Sequence, residues 1–293
     1  MSAVAETLGV ARSNLAERAA GRPSQRRGRP PLPETKMVEA IKSIIATMPT
    51  YGYRRVWAVL RRIAEAEGRP APNHKRVYRV MRLHGLLLER HVGGIERRHD
   101  GRIAVERSNL RWCSDGFEIG CWNGDLIRIA FIIDAHNREI IAWHAVVGSG
   151  ISGGMVRDMM LEAVESRFGA LQSPAPLEWL TDNGSAYTAK ETRDFAVALN
   201  LIACFTPVQS PESNSISESF VKTFKRDYVR VSPMPDAVTA LGKIAGWFED
   251  YNENHPHSGL KMRSPRSSSG HKLNSRLSGQ IGGNSTYMIG FRR

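Results

Sequence analysis

Hydrophobic positions change their period along the chain, and the changes mark its organisation. In the first twenty residues Ala5, Gly9 and Leu15 are spaced as in two short helices packed around a tight glycine-containing turn, the outline of a partial helix-turn-helix. Residues 21–33 read Gly-Arg-Pro-Ser-Gln-Arg-Arg-Gly-Arg-Pro-Pro-Leu-Pro, where proline and glycine exclude helix and the arginines repel one another, so this is a basic linker. From residue 34 to 88 the period is helical. Met37, Val38, Ile41, Ile44 and Ile45 recur at three-and-four spacing up to a break at Pro49, and Val56, Trp57, Leu60 and Ile63 follow. A third stretch, Val77, Val80, Met81 and Leu83, sits behind Pro72-Asn73, a helix-cap signal. Three helices of this size make a small bundle.

After a polar stretch at residues 89–110 the period becomes extended. Residues 111–122, 126–133 and 139–147 read as three strands, separated by the turn residues 123–125 and 134–138. A helix over residues 152–168, a strand over 177–181, a helix over 190–199 and a strand through 202–205 come next. A long helix starts near residue 215, and Trp247, Phe248 and Tyr251 at helical spacing belong to the core. Three strands, then helix, strand, helix, strand, helix, is an α/β arrangement of ribonuclease H type, with a mixed sheet whose opening hairpins are antiparallel. His255-Pro256-His257 reads as a packed turn off the last helix, and the tail from Ser264 onward as flexible.

Composition narrows the class. Of 293 residues 41% are hydrophobic and 24% charged, which is globular rather than disordered or fibrous. No apolar run approaches the roughly 18 residues of a membrane span, and the N-terminus lacks the order of a secretory signal, so a cytoplasmic protein is expected. Cys113, Cys121 and Cys204 are too few for a disulfide framework or a four-thiolate zinc site. The formal charge of +12 is concentrated: residues 1–110 hold 22 Lys+Arg against 10 Asp+Glu, and the remainder holds 19 of each. A basic segment without a membrane signal points to nucleic acid. Arg54, Arg55, Arg61, Arg62, Lys75, Arg76, Arg79 and Arg82 lie on polar helix faces of the bundle and are expected to meet phosphates. Arg27-Gly28-Arg29-Pro30 resembles a minor-groove hook.

Three acids fall where the element order brings chain segments to one edge of the sheet. Asp115 lies in the first strand, Asp182 just past the fourth, and Glu218 at the start of the long helix. Converging carboxylates repel unless a divalent cation neutralises them, and hard oxygen donors suit a pair of Mg²⁺ or Mn²⁺ ions. On spacing alone Asp125 or Asp134 could replace Asp115, although Asp134 is better read as a hairpin residue. The flanks favour the other two: Asp182-Asn183-Gly184-Ser185 is a tight turn at a strand's end, and Glu218 follows a cap-rich run from Pro211. Lys222, Lys225 and Arg226 follow Glu218 on the helix, the two lysines on its face, where they would sit beside a phosphate.

Several ordered segments carry a family likeness: Tyr51-Gly52-Tyr53-Arg54-Arg55-Val56-Trp57, Lys75-Arg76-Val77-Tyr78-Arg79-Val80-Met81, Trp112-Cys113-Ser114-Asp115-Gly116-Phe117-Glu118, Thr181-Asp182-Asn183-Gly184-Ser185, the Ser-Pro-Glu-Ser-Asn run into Glu218, and Tyr251-Asn252 with His255-Pro256-His257-Ser258. From about residue 34 to 266 the chain closely resembles bacterial insertion-sequence transposases of the open-reading-frame-B type, within the retroviral-integrase superfamily. The resemblance implies a DNA transposase that binds the inverted repeats at its element's ends and cuts and rejoins strands. It implies that Asp115, Asp182 and Glu218 are the D-D-E triad holding two Mg²⁺ or Mn²⁺ ions, with Lys225 the basic residue seven places on. Ser-Asp-Gly-Phe around Asp115 departs from the family's usual first strand. The expected organisation is a partial helix-turn-helix and linker (1–33), a helical DNA-binding domain (34–90), an integrase catalytic core (105–265) and a flexible tail (266–293). Expected partners are double-stranded DNA, further copies of the chain on DNA, and an upstream-frame product as a fusion. A non-catalytic repressor and a ribonuclease H-like nuclease on RNA–DNA hybrids are the alternatives.

Overall fold

The computed structural model describes residues 2–20, 34–89, 105–206, 215–269 and 278–282. The stretch at 27–30 read as a groove hook, the polar residues 90–104 and the capping run at 210–214 lie outside the described residues. The chain divides into two compact units, Met1–Lys36 and Met37–Arg293. In the first, α1 (Ser2–Thr7) and α2 (Arg12–Ala19) are joined through Gly9, whose φ of +60° is the left-handed conformation that the turn requires.

Helix α3 (Thr35–Thr47) begins two residues before the second unit, and α4 (Tyr53–Ala66) and α5 (His74–Leu83) follow within it. The periodic residues bury as their spacing demands: Val38, Ile41, Val56, Leu60, Val77, Val80 and Met81 form one core with Tyr51. Asn73 caps α5 by accepting a hydrogen bond from the Lys75 amide, and the Trp57 indole donates to the Pro72 carbonyl at 2.8 Å.

The sheet follows. Strands β1 (Arg111–Gly120), β2 (Leu126–Asp134) and β3 (Ile140–Val147) form the antiparallel meander. The chain then runs through α6 (Gly153–Phe168), β4 (Leu177–Thr181), the single turn α7 (Ser185–Thr188), α8 (Lys190–Ala198) and β5 (Leu201–Phe205). Beyond it lie α9 (Ser215–Phe224), a π-helical turn (Lys225–Val229), α10 (Ala237–Glu253) and α11 (Pro265–Ser269). The strand order is β5-β4-β1-β2-β3-β6, where β6 is Ser278–Gly282; β4 and β5 run parallel to β1, and β6 parallel to β3. One sheet face packs on α6 and α8 through Trp112, Ile132, Met159, Val164 and Trp179. The other packs on α9 and α10 through Phe117, Phe131, Phe220, Phe224 and Phe248.

One expectation holds and another changes in part. Asp134 is a hairpin residue as read, fully buried, its carboxylate accepting from the amides of Asn109, His136 and Asn137. Within the tail expected to be flexible, the described residues form α11, where Arg266 donates to Glu139, Glu249 and Glu253, and β6, which pairs with β3; the rest of the tail lies outside the described residues. Among the described residues no helix is long and apolar enough to cross a membrane.

Candidate active site

Strand alternation decides which way the acids face. Cys113 and Phe117 of β1 pack on the α9 side and Trp112 on the α6 side, so Asp115 shares the face of Cys113 and Phe117. In β4, Leu180 packs on the α9 side and Trp179 on the other. Cys113 pairs with Leu180 in the parallel ladder, and two residues further along both chains stand Asp115 and Asp182. Helix α9 covers this face with Phe220 and Phe224 against Phe117, and Glu218 lies in its first turn. The three acids are electrostatic neighbours. The Asp115 carboxyl is pushed up to about 6, first by burial and then by the charges of Asp182 and Glu218, against the lowering effect of a hydrogen bond from the Gly116 amide.

The side chains lie turned to separate partners. Asp115 accepts from the Gly116 amide at 2.7 Å, Asp182 from the Gly184 amide at 3.0 Å, and Glu218 from Lys222 Nζ at 3.1 Å. Among the described residues no three His, Cys, Asp or Glu side chains stand close enough to share a metal ion. The Glu218–Lys222 pair is solvated, its side chains 43% and 71% exposed, and such a pair contributes only about 0.5 kcal/mol, so rotation of Glu218 toward the aspartates costs little. Three hard oxygen donors, two of which raise the proton affinity of Asp115 by their charge, are a donor set that fits a divalent cation. A Cβ at Gly184 would lie 3.0 Å from Asp182 Oδ1 and 3.3 Å from the Tyr187 ring, so a side chain there would press on the Asp182 carboxylate.

Lys225 Nζ sits 5.8 Å from the centroid of the Phe117 ring, two residues from Asp115 on the same strand face. Lys222, one turn past Glu218, pairs with it, and Lys225 reaches the strand face that carries Asp115. At Lys225 the helix widens into the π-turn, a device common at functional sites. Sequence reasoning missed Tyr187, buried beneath the acids with its hydroxyl 3.4 Å from Ser114 Oγ; its proton affinity is raised by burial and by the charges of Asp115 and Asp182.

The basic residues of the helical domain divide. Arg54, Lys75, Arg79 and Arg82 are exposed and Arg76 is half-buried. Three others face inward. Arg61 lies over the Trp57 ring, and Arg62 donates to the carbonyl of Asn254 at 3.0 Å, beyond the end of α10. Arg55, expected on the DNA face, forms a 2.9 Å ion pair with Asp227, a residue sequence reasoning passed over. Asp227 is fully buried in the π-turn. It also accepts from Arg226 twice at 2.7 Å, from His255 Nε2 at 2.9 Å and from Thr50 at 2.6 Å. Burial alone would raise its carboxyl, but these donors and the Arg55 charge hold it far below the ordinary carboxylate range. His255, the expected packed turn, is buried against Tyr51 and Tyr251, and burial lowers its own proton affinity. An ionised Asp227 accepts only, so a neutral His255 carries its proton on Nε2.

The chain matches known proteins along most of its described length. A family profile described as Integrase core domain matches residues 105–211, a second of the same description 203–265, and an HTH-like domain profile 33–92. Transposase InsD of insertion element IS2 from Escherichia coli is 55% identical over 235 residues, covering 80% of this chain and 78% of that protein. An uncharacterized protein of insertion element IS136 from Agrobacterium fabrum is 66% identical over 184 residues, covering 62% of this chain and 94% of that protein. Among solved structures, the catalytic core domain of HTLV-2 integrase in complex with magnesium aligns with 56% of this chain and 98% of its own. Its identity of 16% and TM-score of 0.41 are too distant to add to the sequence relatives.

Proposed function

This chain belongs to the insertion-element transposases with an integrase core, and we propose that Asp115, Asp182 and Glu218 are the acids with which it cuts and joins DNA strands. As a transposase it binds DNA through its helix-turn-helix-like domain and transfers nucleotidyl groups. In finer terms, residues 34–90 seize the inverted repeats of the element, and residues 105–265 carry out hydrolysis that frees a 3′-hydroxyl, then transesterification of that hydroxyl into target DNA. One phosphodiester replaces another in the joining step, so no external energy source is needed.

The observation that carries this reading is geometric: acids separated by 66 and 35 intervening residues come together, Asp115 and Asp182 two residues past the Cys113–Leu180 pair on adjacent parallel strands and Glu218 in the first turn of the helix over that face. Asp115 and Asp182, on adjacent parallel strands, would bind two Mg²⁺ or Mn²⁺ ions jointly, with Glu218 completing the set after leaving Lys222. Such ions supply Lewis acidity to the phosphodiester and lower the proton affinity of an attacking water or hydroxyl. The protein's own part is orientation: Gly116 and Gly184 amides aim the aspartates, and Lys222 and Lys225 hold the DNA backbone beside them. Arg54, Lys75, Arg76 and Arg79 contact phosphates of the bound end. The protein works in the cytoplasm on the nucleoid as a homo-oligomer assembled on DNA, with an upstream-frame product as a fusion partner.

The test is Asp182→Asn. Affinity for a labelled element-end duplex should stay within about twofold while strand transfer falls by about a thousandfold or more, as expected when a metal-binding acid is lost. Full strand transfer in Mg²⁺ by this variant overturns the assignment.

A further inference from the structure

We propose that Asp227 is a positioning residue: its carboxylate locks the DNA-binding helical domain onto the helix that carries Glu218, so that the bound DNA end and the third acid move as one body. The proposal rests on the reading of Glu218 as catalytic. Glu218 and Asp227 belong to one uninterrupted helical rod, α9 continuing into the π-turn, and are about 13 Å apart along its axis. A rod of that length transmits displacement rather than absorbing it.

The other end of the lock lies in the helical domain. Thr50, just before α4, and Arg55, in its first turn, both donate to Asp227. The junction has a second strut in Arg62, which meets the carbonyls at the C-terminal end of α10, where the helix dipole favours a cation. Tyr51 packs edge-on against His255 at 5.7 Å, closing the space between.

The chemistry of the junction distinguishes a lock from ordinary packing. An apolar contact tolerates sliding, because apolar attraction has no direction. A fully buried carboxylate with donors from Thr50, Arg55, Arg226 and His255 tolerates one arrangement, since leaving any donor unpaired is costly. Buried ion pairs are weak sources of stability, and their best-attested use is to specify one geometry. Here that geometry relates the domain that selects DNA to the residue that acts on it.

Two full-length variants test the proposal, Asp227→Asn from the core side and Arg55→Gln from the helical side. Three quantities are measured: affinity for a labelled element-end duplex, strand-transfer rate at saturating DNA, and amide hydrogen exchange across residues 215–229. The expected result is affinity within about threefold, exchange faster by about tenfold, and a rate at saturating DNA lower by about tenfold or more, with partial recovery in Arg55→Lys. Exchange and rate unchanged in both variants overturn the proposal. So does an affinity loss with an unchanged saturated rate in Arg55→Gln, which makes Arg55 a phosphate contact. If Asp227→Asn does not fold, Arg55→Gln decides alone, its side chain being partly exposed. Full activity of Asp182→Asn refutes the acids while leaving the exchange result standing; wild-type exchange and rate in the lock variants refute the lock while leaving the acids standing.

Discussion

Asp115 and Asp227 carry the same carboxyl group, yet the first is pushed up to about 6 and the second far below the ordinary range. Both are substantially buried, so desolvation acts alike on each. The difference lies in what the chain brings beside them. Asp115 faces two further carboxylates, whereas Asp227 is gripped by two guanidinium groups, an imidazole and a hydroxyl. A protein can therefore build one acid cluster that a hard cation would stabilise and, one helix away, an acid already neutralised by its own side chains.

Neutralising each acid in turn separates the two settings most strongly. Asp115→Asn should lower strand transfer by about a thousandfold, yet leave the protein as stable in the presence of a chelator, or more so by about 1 kcal/mol, because a repelled charge is removed. Asp227→Asn should do the reverse in stability, costing about 3 kcal/mol in denaturant unfolding, since it leaves buried cations unpaired. Equal stability changes for the two variants would erase the contrast.

A pH series sharpens it. His257, in the ring cluster beside the lock, is pushed down to about 3, first by burial and then by the neighbouring His255, Arg55 and Arg138, against the pull of Asp227. Its folded form resists protonation, so its contribution is complete above about pH 6.5 and is lost as pH falls from there toward 3, by at most about 1.4 kcal/mol per pH unit. His257→Gln should flatten the decline of Tm between about pH 6.5 and 5; a decline as steep as in the wild type refutes the assignment. The smallest effect is expected at the acids' edge: Lys222→Gln should change stability by less than about 0.5 kcal/mol while freeing Glu218. A loss several times larger would mean that Glu218 is fastened rather than poised.

Most of the fold was legible because its rules are local. Extended apolar runs bounded by turn residues marked β1 to β5 within two residues, and Asn73 and Asp134 took the cap and turn roles their types favour. The positions of the proposed acids on their elements were legible too, Asp115 in a strand, Asp182 at a strand's end beside a turn and Glu218 at a helix start. Arg55 was misplaced because a basic residue on an amphipathic helix looks the same whether it faces solvent or a neighbouring domain. Helix α11 was missed for a similar reason, since serine and glycine content says nothing of an arginine that reaches Glu139, Glu249 and Glu253.

The linear chain by itself determined where most helices and strands lie, the excess charge of the N-terminal third, and which elements carry Asp115, Asp182 and Glu218. Only the folded molecule decided that Arg226-Asp227-Tyr228, an unremarkable stretch of helix, holds a buried carboxylate at the meeting of two domains. Backbone periodicity depends on neighbours a few residues away. The partners of Asp227 at Thr50, Arg55 and His255 are brought to it by long-range packing, so no local pattern encodes the charge it meets.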